Sequence, residues 1–144
     1  MKISTKGRYA LRMLVDLAEH AQGGCISLGE IAERQAISRK YLEQIVPVLH
    51  RAGIVLPSRG YRGGYRLGRA PGDITVGEVL RLTEGNLAPV ACLEQDPVQC
   101  ERCETCRTLP VWRGLYRVVT EYLDSVTLAD LLAGGGKLPA EFGS

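Results

Sequence analysis

The spacing of apolar residues along the first fifty positions predicts three short helices. The first apolar run follows the helical period and ends at Gly23 and Gly24. Ser27 with Glu30 three residues later is a capping box, which opens a second helix. Ser38 is placed to cap a third helix. The predicted buried stripe of that helix is Leu42, Ile45, Val46 and Leu49.

The second and third helices are separated by only the four residues QAIS, which predicts a helix-turn-helix motif. Two β-prone runs follow, from Ile54 to Ser58 and from Tyr65 to Leu67, around a glycine-rich turn. This pattern indicates a β-hairpin, and a hairpin directly after a helix-turn-helix is a wing. A nucleotide-binding glycine loop is the alternative, but it would need a helix where a strand follows the glycines. Inside the third helix, Pro47 lacks a backbone donor, so we expect a kink or a 3₁₀ turn there.

The second half of the chain predicts three further helices. Thr75 with Glu78 is another capping box, and Gly85 stops the helix that it opens. A long helix from about Thr108 has a wide apolar stripe, which fits either a second subunit or the chain's own core. A last short helix begins at Thr127. The apolar stripe of the long helix is Leu109, Trp112, Leu115, Tyr116, Val119, Tyr122 and Leu123.

The fold class predicted from these patterns is mainly α with a small β-hairpin. Residues 1–85 would form a winged helix-turn-helix DNA-binding region, and 86–107 a cysteine-rich loop. Residues 108–133 would supply a long dimerisation helix and the short terminal helix. The remaining 134–144 have no periodicity, and we treat them as a flexible tail and a candidate cloning remnant.

The charge of the chain is distributed unevenly. Residues 1–69 hold twelve Lys and Arg against five Asp and Glu, a balance of +7, whereas residues 70–144 hold six against eleven, a balance of −5. A basic half suits a polyanionic partner such as DNA, although solvated surface charge is the simpler alternative. No apolar run approaches the length of a membrane span, and charges throughout residues 1–20 argue against a secretory signal. We therefore expect a cytoplasmic protein without a membrane partner.

Four of the five cysteines, Cys92, Cys100, Cys103 and Cys106, lie within fifteen residues. Disulfides are uncommon in the cytoplasm, so clustered thiols there more often bind metal. Tight thiolate spacing fits a structural zinc site and an iron–sulfur cluster equally well, and spacing alone does not separate them. The fifth cysteine, Cys25, is expected to be a small apolar filler.

Four segments of the chain are distinctive: MKISTKGRYALRMLVDLAEH, ISRKYLEQIV, RAGIV and RGYRGGYRLGR. Together they resemble the IscR-like iron–sulfur cluster regulators, within a wider family of winged-helix repressors that includes nitric-oxide, iron and cysteine-metabolism sensors. The resemblance covers roughly residues 1–133. It implies a homodimer that binds double-stranded DNA. Side chains at the start of the third helix suit phosphates and base edges. The predicted DNA-binding residues are Ser38, Arg39, Lys40, Glu43, Gln44, Arg59 and Arg62.

The resemblance also implies cluster ligands at Cys92, Cys100 and Cys106. Where that group keeps a histidine ligand this chain has Leu109, and where related sensors recruit an acidic residue it has Arg8. Neither side chain binds iron. Cys103 is therefore the predicted fourth ligand, with Glu101 or Glu104 as the alternatives. A [2Fe-2S] cluster is favoured over [4Fe-4S], which four thiolates would also permit.

These features predict a cluster-sensing transcription regulator that represses genes for cluster assembly. A cysteine-metabolism or redox and nitric-oxide sensing repressor of the same fold is the alternative, because the resemblance includes members without a cluster. A third, less favoured alternative is an electron carrier that bears the cluster. We do not expect an enzyme, because His20 and His50 are not near another catalytic motif.

Overall fold

The computed structural model describes residues 1–21, 24–58, 63–95, 97 and 100–135. It confirms the predicted fold class, because those residues form helices and one two-stranded antiparallel sheet. None of the helices in the described part is long and apolar enough to cross a membrane. In chain order the elements are α1 (Thr5–His20), α2 (Leu28–Gln35), α3 (Arg39–Arg51), β1 (Val55–Pro57), β2 (Tyr65–Leu67), α4 (Val76–Glu84), α5 (Leu109–Ser125) and α6 (Leu128–Leu132). Two 3₁₀ turns lie at Pro71–Asp73 and Ala91–Leu93.

The N-terminal caps of α2 and α3 are those that the sequence predicts. The Glu30 amide donates to Ser27 Oγ at 3.2 Å, and the Ser27 amide donates to Glu30 Oε2 at 2.9 Å. Ser38 Oγ accepts a hydrogen bond from the Tyr41 amide at 3.3 Å. Each cap satisfies backbone donors that the helix cannot pair internally. The helix-turn-helix therefore begins each of its helices with a local hydrogen bond.

The turn between α2 and α3 is closed by a left-handed residue. Ala36 has φ 53° and ψ 44°, a conformation that usually falls to glycine or asparagine. The next amide, of Ile37, donates back to the Ala32 carbonyl at 3.1 Å, and the Ile37 side chain is buried. This turn leaves little freedom in the direction in which α3 leaves α2.

Of the two outcomes expected at Pro47, a kink or a 3₁₀ turn, the 3₁₀ turn does not form. Helix α3 continues as α-helix through Pro47 to Arg51. Both Pro47 and Glu43, whose carbonyl loses its helical donor, are exposed to solvent. Water can therefore satisfy that carbonyl.

Most of the core lies in the N-terminal half, around α1. The glycine of the KGRYA segment matters here, because a Cβ at Gly7 would meet the Glu84 carboxylate and come within 3.0 Å of Leu80. Gly7 thus lets α1 approach α4 closely. The main core cluster is Ala10, Met13, Leu14, Leu17, Ile26, Leu28, Ile31, Ile37, Leu42, Ile45, Val46, Leu49, Ile54, Val55, Ile74, Val79 and Leu128.

A buried ion pair joins α1 to the end of α2. The side chain of Asp16 is fully buried, and Arg34 clamps it with two hydrogen bonds, Nη2 to Oδ1 at 2.7 Å and Nε to Oδ2 at 3.0 Å. Gln35 Nε2 donates to the same carboxylate at 3.0 Å. Arg12, one turn before Asp16, donates to the Gln35 side chain and carbonyl. We call these four residues, Arg12, Asp16, Arg34 and Gln35, the α1–α2 junction.

The junction holds Asp16 in its charged form. Burial by itself would raise the pKa of this carboxyl, because a low-dielectric surrounding disfavours charge. The hydrogen bonds from Arg34 and Gln35 and the positive charge of Arg34 outweigh that effect, with a smaller contribution from His20, and the net pKa is lowered from 3.8. The folded state therefore gains stability from ionised Asp16.

The wing hairpin is confirmed and is anchored by a contact that the sequence did not reveal. Strands β1 and β2 pair antiparallel. Ile26, just before α2, forms an additional bridge with Tyr65, with N···O distances of 2.9 and 2.8 Å. Gly64 lies beside this bridge with φ 113°, and a Cβ there would come within 2.8 Å of the Ile26 carbonyl oxygen. Only glycine fits this position.

The C-terminal half packs α4 against α5. Thr75 caps α4 as predicted, but the capping box does not close, because the Glu78 carboxylate accepts from Arg69 at 2.5 Å instead. Arg81 of α4 and Asp124 of α5 form a bidentate pair with both distances at 2.7 Å. A second, smaller core cluster lies here, made of Val76, Leu80, Leu87 and Val126.

We predict that Asp16→Asn costs about 1.5–3 kcal/mol of unfolding free energy at neutral pH, because it removes a charged acceptor from buried hydrogen bonds. A lowered folded pKa contributes stability above the ordinary value of 3.8, and this is lost as the pH falls through the folded pKa. The difference between wild type and variant should therefore shrink below about pH 4. Urea unfolding across the pH range measures it, with exposed Asp73→Asn as control. A gap that is constant down to pH 2 would contradict this assignment.

Candidate functional site

The first two turns of α3 present a polar surface to solvent. The predicted buried stripe of α3 is confirmed, with Leu42, Ile45 and Leu49 fully buried and Val46 nearly so. The opposite side of the helix is free to meet a partner. Its exposed residues are Ser38, Arg39, Lys40, Glu43 and Gln44.

These five side chains are not equally available. Arg39 Nε lies 3.4 Å from Glu43 Oε1, an exposed pair that is worth little and can open for a partner. Ser38 Oγ already accepts from the Tyr41 amide, but its hydroxyl proton can still be donated. The structure gives Lys40 and Gln44 no hydrogen bond to any other described residue. They are the least committed of the five.

The two predicted wing arginines, Arg59 and Arg62, lie outside the described residues. The hairpin strands on either side are described, and Arg66 on β2 is exposed. The bridge between Ile26 and Tyr65 attaches the base of the hairpin to the chain just before α2. The wing and the helix-turn-helix are thus one connected unit.

The four clustered cysteines lie on the connection between α4 and α5. Cys92 is exposed in the 3₁₀ turn Ala91–Leu93. Cys100, Cys103 and Cys106 are partly buried and lie on a run of tight turns. The Cys103 amide donates to the Cys100 carbonyl at 3.1 Å. None of the four forms a disulfide.

Cys106 stands at the start of α5 in a setting that favours a thiolate. The Thr108 hydroxyl lies 3.3 Å from its sulfur. That contact, with backbone hydrogen bonds from Thr108 and Leu109 and the charge of Arg102, lowers the pKa of Cys106 from 9.0. Leu109 is itself buried, so the ligand position that the IscR-like group fills with histidine is occupied here by a core side chain.

The cysteine loop fits a thiophilic group by its donor set but does not bring the donors together. Four thiols and no histidine suit zinc or an iron–sulfur cluster. Among the described residues, no three Cys, His, Asp or Glu side chains are close enough to hold a metal ion. Cys92 lies on the 3₁₀ turn Ala91–Leu93 and the other three further along the connection, so a shared metal centre would require these thiols to come closer together.

The expectation for Cys25 is wrong. Its side chain is exposed in the segment before α2 rather than packed as an apolar filler. Here the neighbouring Ile26 is buried and takes up the backbone bridge to Tyr65. The sequence does not show which of these two adjacent apolar residues faces inward.

Arg8, at the position where related sensors recruit an acidic residue, is exposed, and its side chain donates to Thr5 Oγ1 at 3.1 Å.

The apolar stripe of α5 is divided between two surroundings. Tyr116, Tyr122 and Leu123 pack partly against the smaller core cluster of this same chain. The outward side keeps large apolar side chains in solvent, and we call it the exposed α5 stripe. Its residues and exposed fractions are Val111 60%, Trp112 36%, Leu115 41% and Val118 43%.

A groove of about 390 Å³ between the turn at Ala91–Leu93 and α5 is a feature that the sequence did not reveal. Thr120 lines this groove, and its hydroxyl is buried with no hydrogen-bond partner in the described part of the chain. A buried hydroxyl without a partner is unusual in a folded protein. The lining residues are Leu93, Arg113, Tyr116, Arg117, Thr120 and Glu121.

Comparison with known proteins gives consistent matches. A family model described as "Rrf2: Iron-dependent Transcriptional regulator" matches residues 3–134. Protein rrf2 of Nitratidesulfovibrio vulgaris is 40% identical over 139 residues, which is 96% of this chain and 92% of that protein. The HTH-type transcriptional regulator IscR of Aliivibrio salmonicida is 39% identical over 132 residues, which is 92% of this chain and 77% of that protein.

The fold also matches solved structures. The structure of CymR, described as the global cysteine regulator of B. subtilis, superimposes with a TM-score of 0.77 at 41% identity. The match covers 94% of this chain and 98% of CymR. The names of these relatives are those of transcription regulators, which agrees with the expectation that the chain is not an enzyme.

Proposed function

Because the chain belongs to the Rrf2 family of transcriptional regulators, we propose that it is an iron–sulfur cluster-sensing repressor of genes for cluster assembly. One observation carries the cluster part of this proposal: four cysteines lie on a single loop between α4 and α5. Likeness to IscR relatives supports it. A DNA regulator acts where the chromosome is, so we place the protein in the cytoplasm.

We assign DNA reading to the exposed side of α3. Gln44 can pair with adenine and Glu43 can accept from cytosine, whereas Lys40 and Arg39 suit phosphate or guanine. Ser38 can donate to a phosphate while it caps α3. Arg59 is assigned to the wing contact on the resemblance, and Arg62 on its charge in the same glycine-rich sequence. A dimer would bring two copies of α3 to half-sites one helical turn apart.

The dimer itself is proposed from the exposed α5 stripe. Large apolar side chains on one side of a helix cost solvation free energy until a partner covers them. A second copy of this chain fits best, because in a twofold arrangement the same stripe meets itself. Arg117 and Glu121, paired at 2.8 Å beside the stripe, could also exchange partners between the two copies.

The cluster is assigned to Cys92, Cys100 and Cys106, with Cys103 as the fourth ligand. A thiolate is the softest donor in the loop, and Cys106 is already biased towards that form. A bound cluster would supply a redox-active centre whose loss reports on iron supply or oxidants. The contribution of the chain is to bring these thiols together, because no three of them lie close enough in the described part of the chain to share a metal ion.

Bringing these thiols together can affect the DNA-binding region through direct packing. The cysteine loop joins α4 to α5, and these helices are clamped by the Arg81–Asp124 pair. Helix α4 packs on α1 at Gly7, and α1 holds the end of α2 through the α1–α2 junction. A cluster shifts the balance between two arrangements only if it interacts differently with each.

A cysteine-metabolism regulator without a cluster is the second candidate. It is favoured by the likeness to CymR, the global cysteine regulator of B. subtilis, almost all of which the match covers. The two candidates differ in one observable. Anaerobic purification of this protein would give a visible chromophore with iron and sulfide in the first case, and neither in the second.

We predict that Lys40→Ala makes the slope of log affinity against log salt less negative by about 0.9 for each subunit, because each copy of α3 loses one phosphate contact. Gln44→Ala should instead leave the slope unchanged and cost about 1–3 kcal/mol of discrimination at one base pair. Fluorescence anisotropy on selected and scrambled duplexes measures both. Lys2→Ala, exposed and outside both α3 and α5, is the charge-matched control. Equal slopes for Lys40→Ala and wild type would remove α3 from the proposed interface.

We predict that Leu115→Glu combined with Val118→Glu gives a folded monomer, because two charges in an apolar interface cannot be solvated. Sedimentation velocity should show half the wild-type mass, and circular dichroism should show the same helix content. Arg113→Glu, outside the stripe, is the control for added charge. If the double variant stays dimeric, the subunits meet through another surface.

We predict that Cys92→Ala, Cys100→Ala and Cys106→Ala each abolish the visible chromophore after anaerobic reconstitution. Cys103→Ala should lose it or shift its spectrum and reduction potential, because a thiolate ligand sets both. Cys25→Ala, outside the loop, should match wild type. Iron and sulfide analysis separates a cluster from zinc. A Cys103→Ala protein with unchanged spectrum and potential would assign the fourth ligand elsewhere.

A further inference from the structure

One glutamine at the end of α2 connects three parts of the DNA-binding region. Gln35 Nε2 donates to Asp16 Oδ2 at 3.0 Å, and Gln35 Oε1 accepts from Arg12 Nε at 3.2 Å. The Gln35 carbonyl accepts a further bond from Arg12 Nη2. We propose that Gln35 is a positioning residue for sequence recognition: it fixes the turn from which α3 leaves α2. This inference rests on the proposed DNA-binding function.

The side-chain chemistry of Gln35 is specific to its place. Its amide must donate on one side, to a carboxylate, and accept on the other, from a guanidinium. Glutamate would set a second carboxylate against buried Asp16, which is destabilising. Methionine has the same length but offers neither hydrogen bond. Only an amide of this length satisfies Asp16 and Arg12 together.

The turn after Gln35 connects the end of α2 directly to the exposed side of α3, which we propose binds DNA. Ala36 is held in the left-handed conformation, and the Ile37 amide bonds back to the Ala32 carbonyl. The third residue after Gln35 is Ser38, which caps α3 and is the first proposed DNA contact. Because this turn is short and hydrogen-bonded, a displacement of the end of α2 should also displace the start of α3.

Arg12, which bonds to Gln35, is also linked to α3 through two tyrosine rings. The Arg12 guanidinium lies over the Tyr9 ring at 5.3 Å, and the Tyr9 and Tyr41 rings meet edge to face at 5.4 Å. Tyr41 belongs to the first turn of α3. Arg12 therefore contacts the turn through Gln35 and is linked to the start of α3 through Tyr9 and Tyr41. Removing the Gln35 side-chain amide takes away its bonds to Arg12 Nε and Asp16 and leaves only the bond from Arg12 Nη2 to the Gln35 backbone carbonyl.

This arrangement should matter for specific binding more than for general affinity. Base contacts need side chains placed to within roughly 0.5 Å, whereas attraction to phosphates depends mainly on charge. A neutral substitution at Gln35 leaves every cation in place. Loss of the amide should therefore weaken the complex with the selected sequence and leave the complex with unrelated DNA unchanged.

The test uses full-length Gln35→Met and Gln35→Glu with two duplexes, one selected from a random pool by the wild-type protein and one scrambled. Anisotropy titrations over several salt concentrations give affinity and salt slope for each. For Gln35→Met we expect about ten-fold weaker binding to the selected duplex, with unchanged affinity for the scrambled one and unchanged slopes. Gln35→Glu should show at least the same loss of preference.

The matched control is Glu84→Gln, which weakens another contact of α1, between Glu84 and the Ser4 amide and hydroxyl. It should lower thermal stability without changing the ratio between the two duplexes. An unchanged ratio in Gln35→Met, or an equal loss on both duplexes, would overturn the positioning role. If the wild-type protein selects no sequence, the proposed function fails, and this inference fails with it.

Discussion

The carboxylate of Asp16 is the charged group on which the arrangement of the N-terminal half depends. It is buried in a helix that otherwise contributes apolar side chains to the core, so its charge requires compensation. Arg34 supplies that compensation from the end of α2, and Gln35 adds a further bond. Their positions fix α2 against α1 just before the turn to α3. The need to pair the buried charge of Asp16 therefore also helps to fix the orientation of α3 and of its exposed side.

Local signals explain how much of this fold can be predicted from sequence. The caps at Ser27 and Ser38 and the glycine-rich turn act within a few residues, so the helices and the hairpin were readable in advance. Contacts between residues that are distant in the chain could not be predicted from such local signals. Glu78 leaves its capping box for Arg69, and Ile26 rather than Cys25 turns inward, because tertiary contacts decide both.

The candidate functional site could likewise be predicted only in part from the sequence. Which residues of α3 are exposed followed from the helical period, and Ser38 was identified as its cap, but the pairing of Arg39 with Glu43 was not predicted. On α5 the period identified one wide stripe, which the structure divides between the smaller core cluster and solvent. A repeat of 3.6 residues identifies the apolar side of a helix, but it does not identify the surface that packs against that side. The ligand role of the cysteines stays a prediction.

The central claim is that a cluster on the cysteine loop changes the affinity of α3 for DNA. The most direct measurement compares the dissociation constant for one selected duplex between anaerobically reconstituted protein and the same preparation after the cluster is removed with a chelator. The account predicts a difference of at least about five-fold, the lower end of typical coupling between two sites. Identical dissociation constants, with the cluster verified by iron and sulfide content, would contradict it.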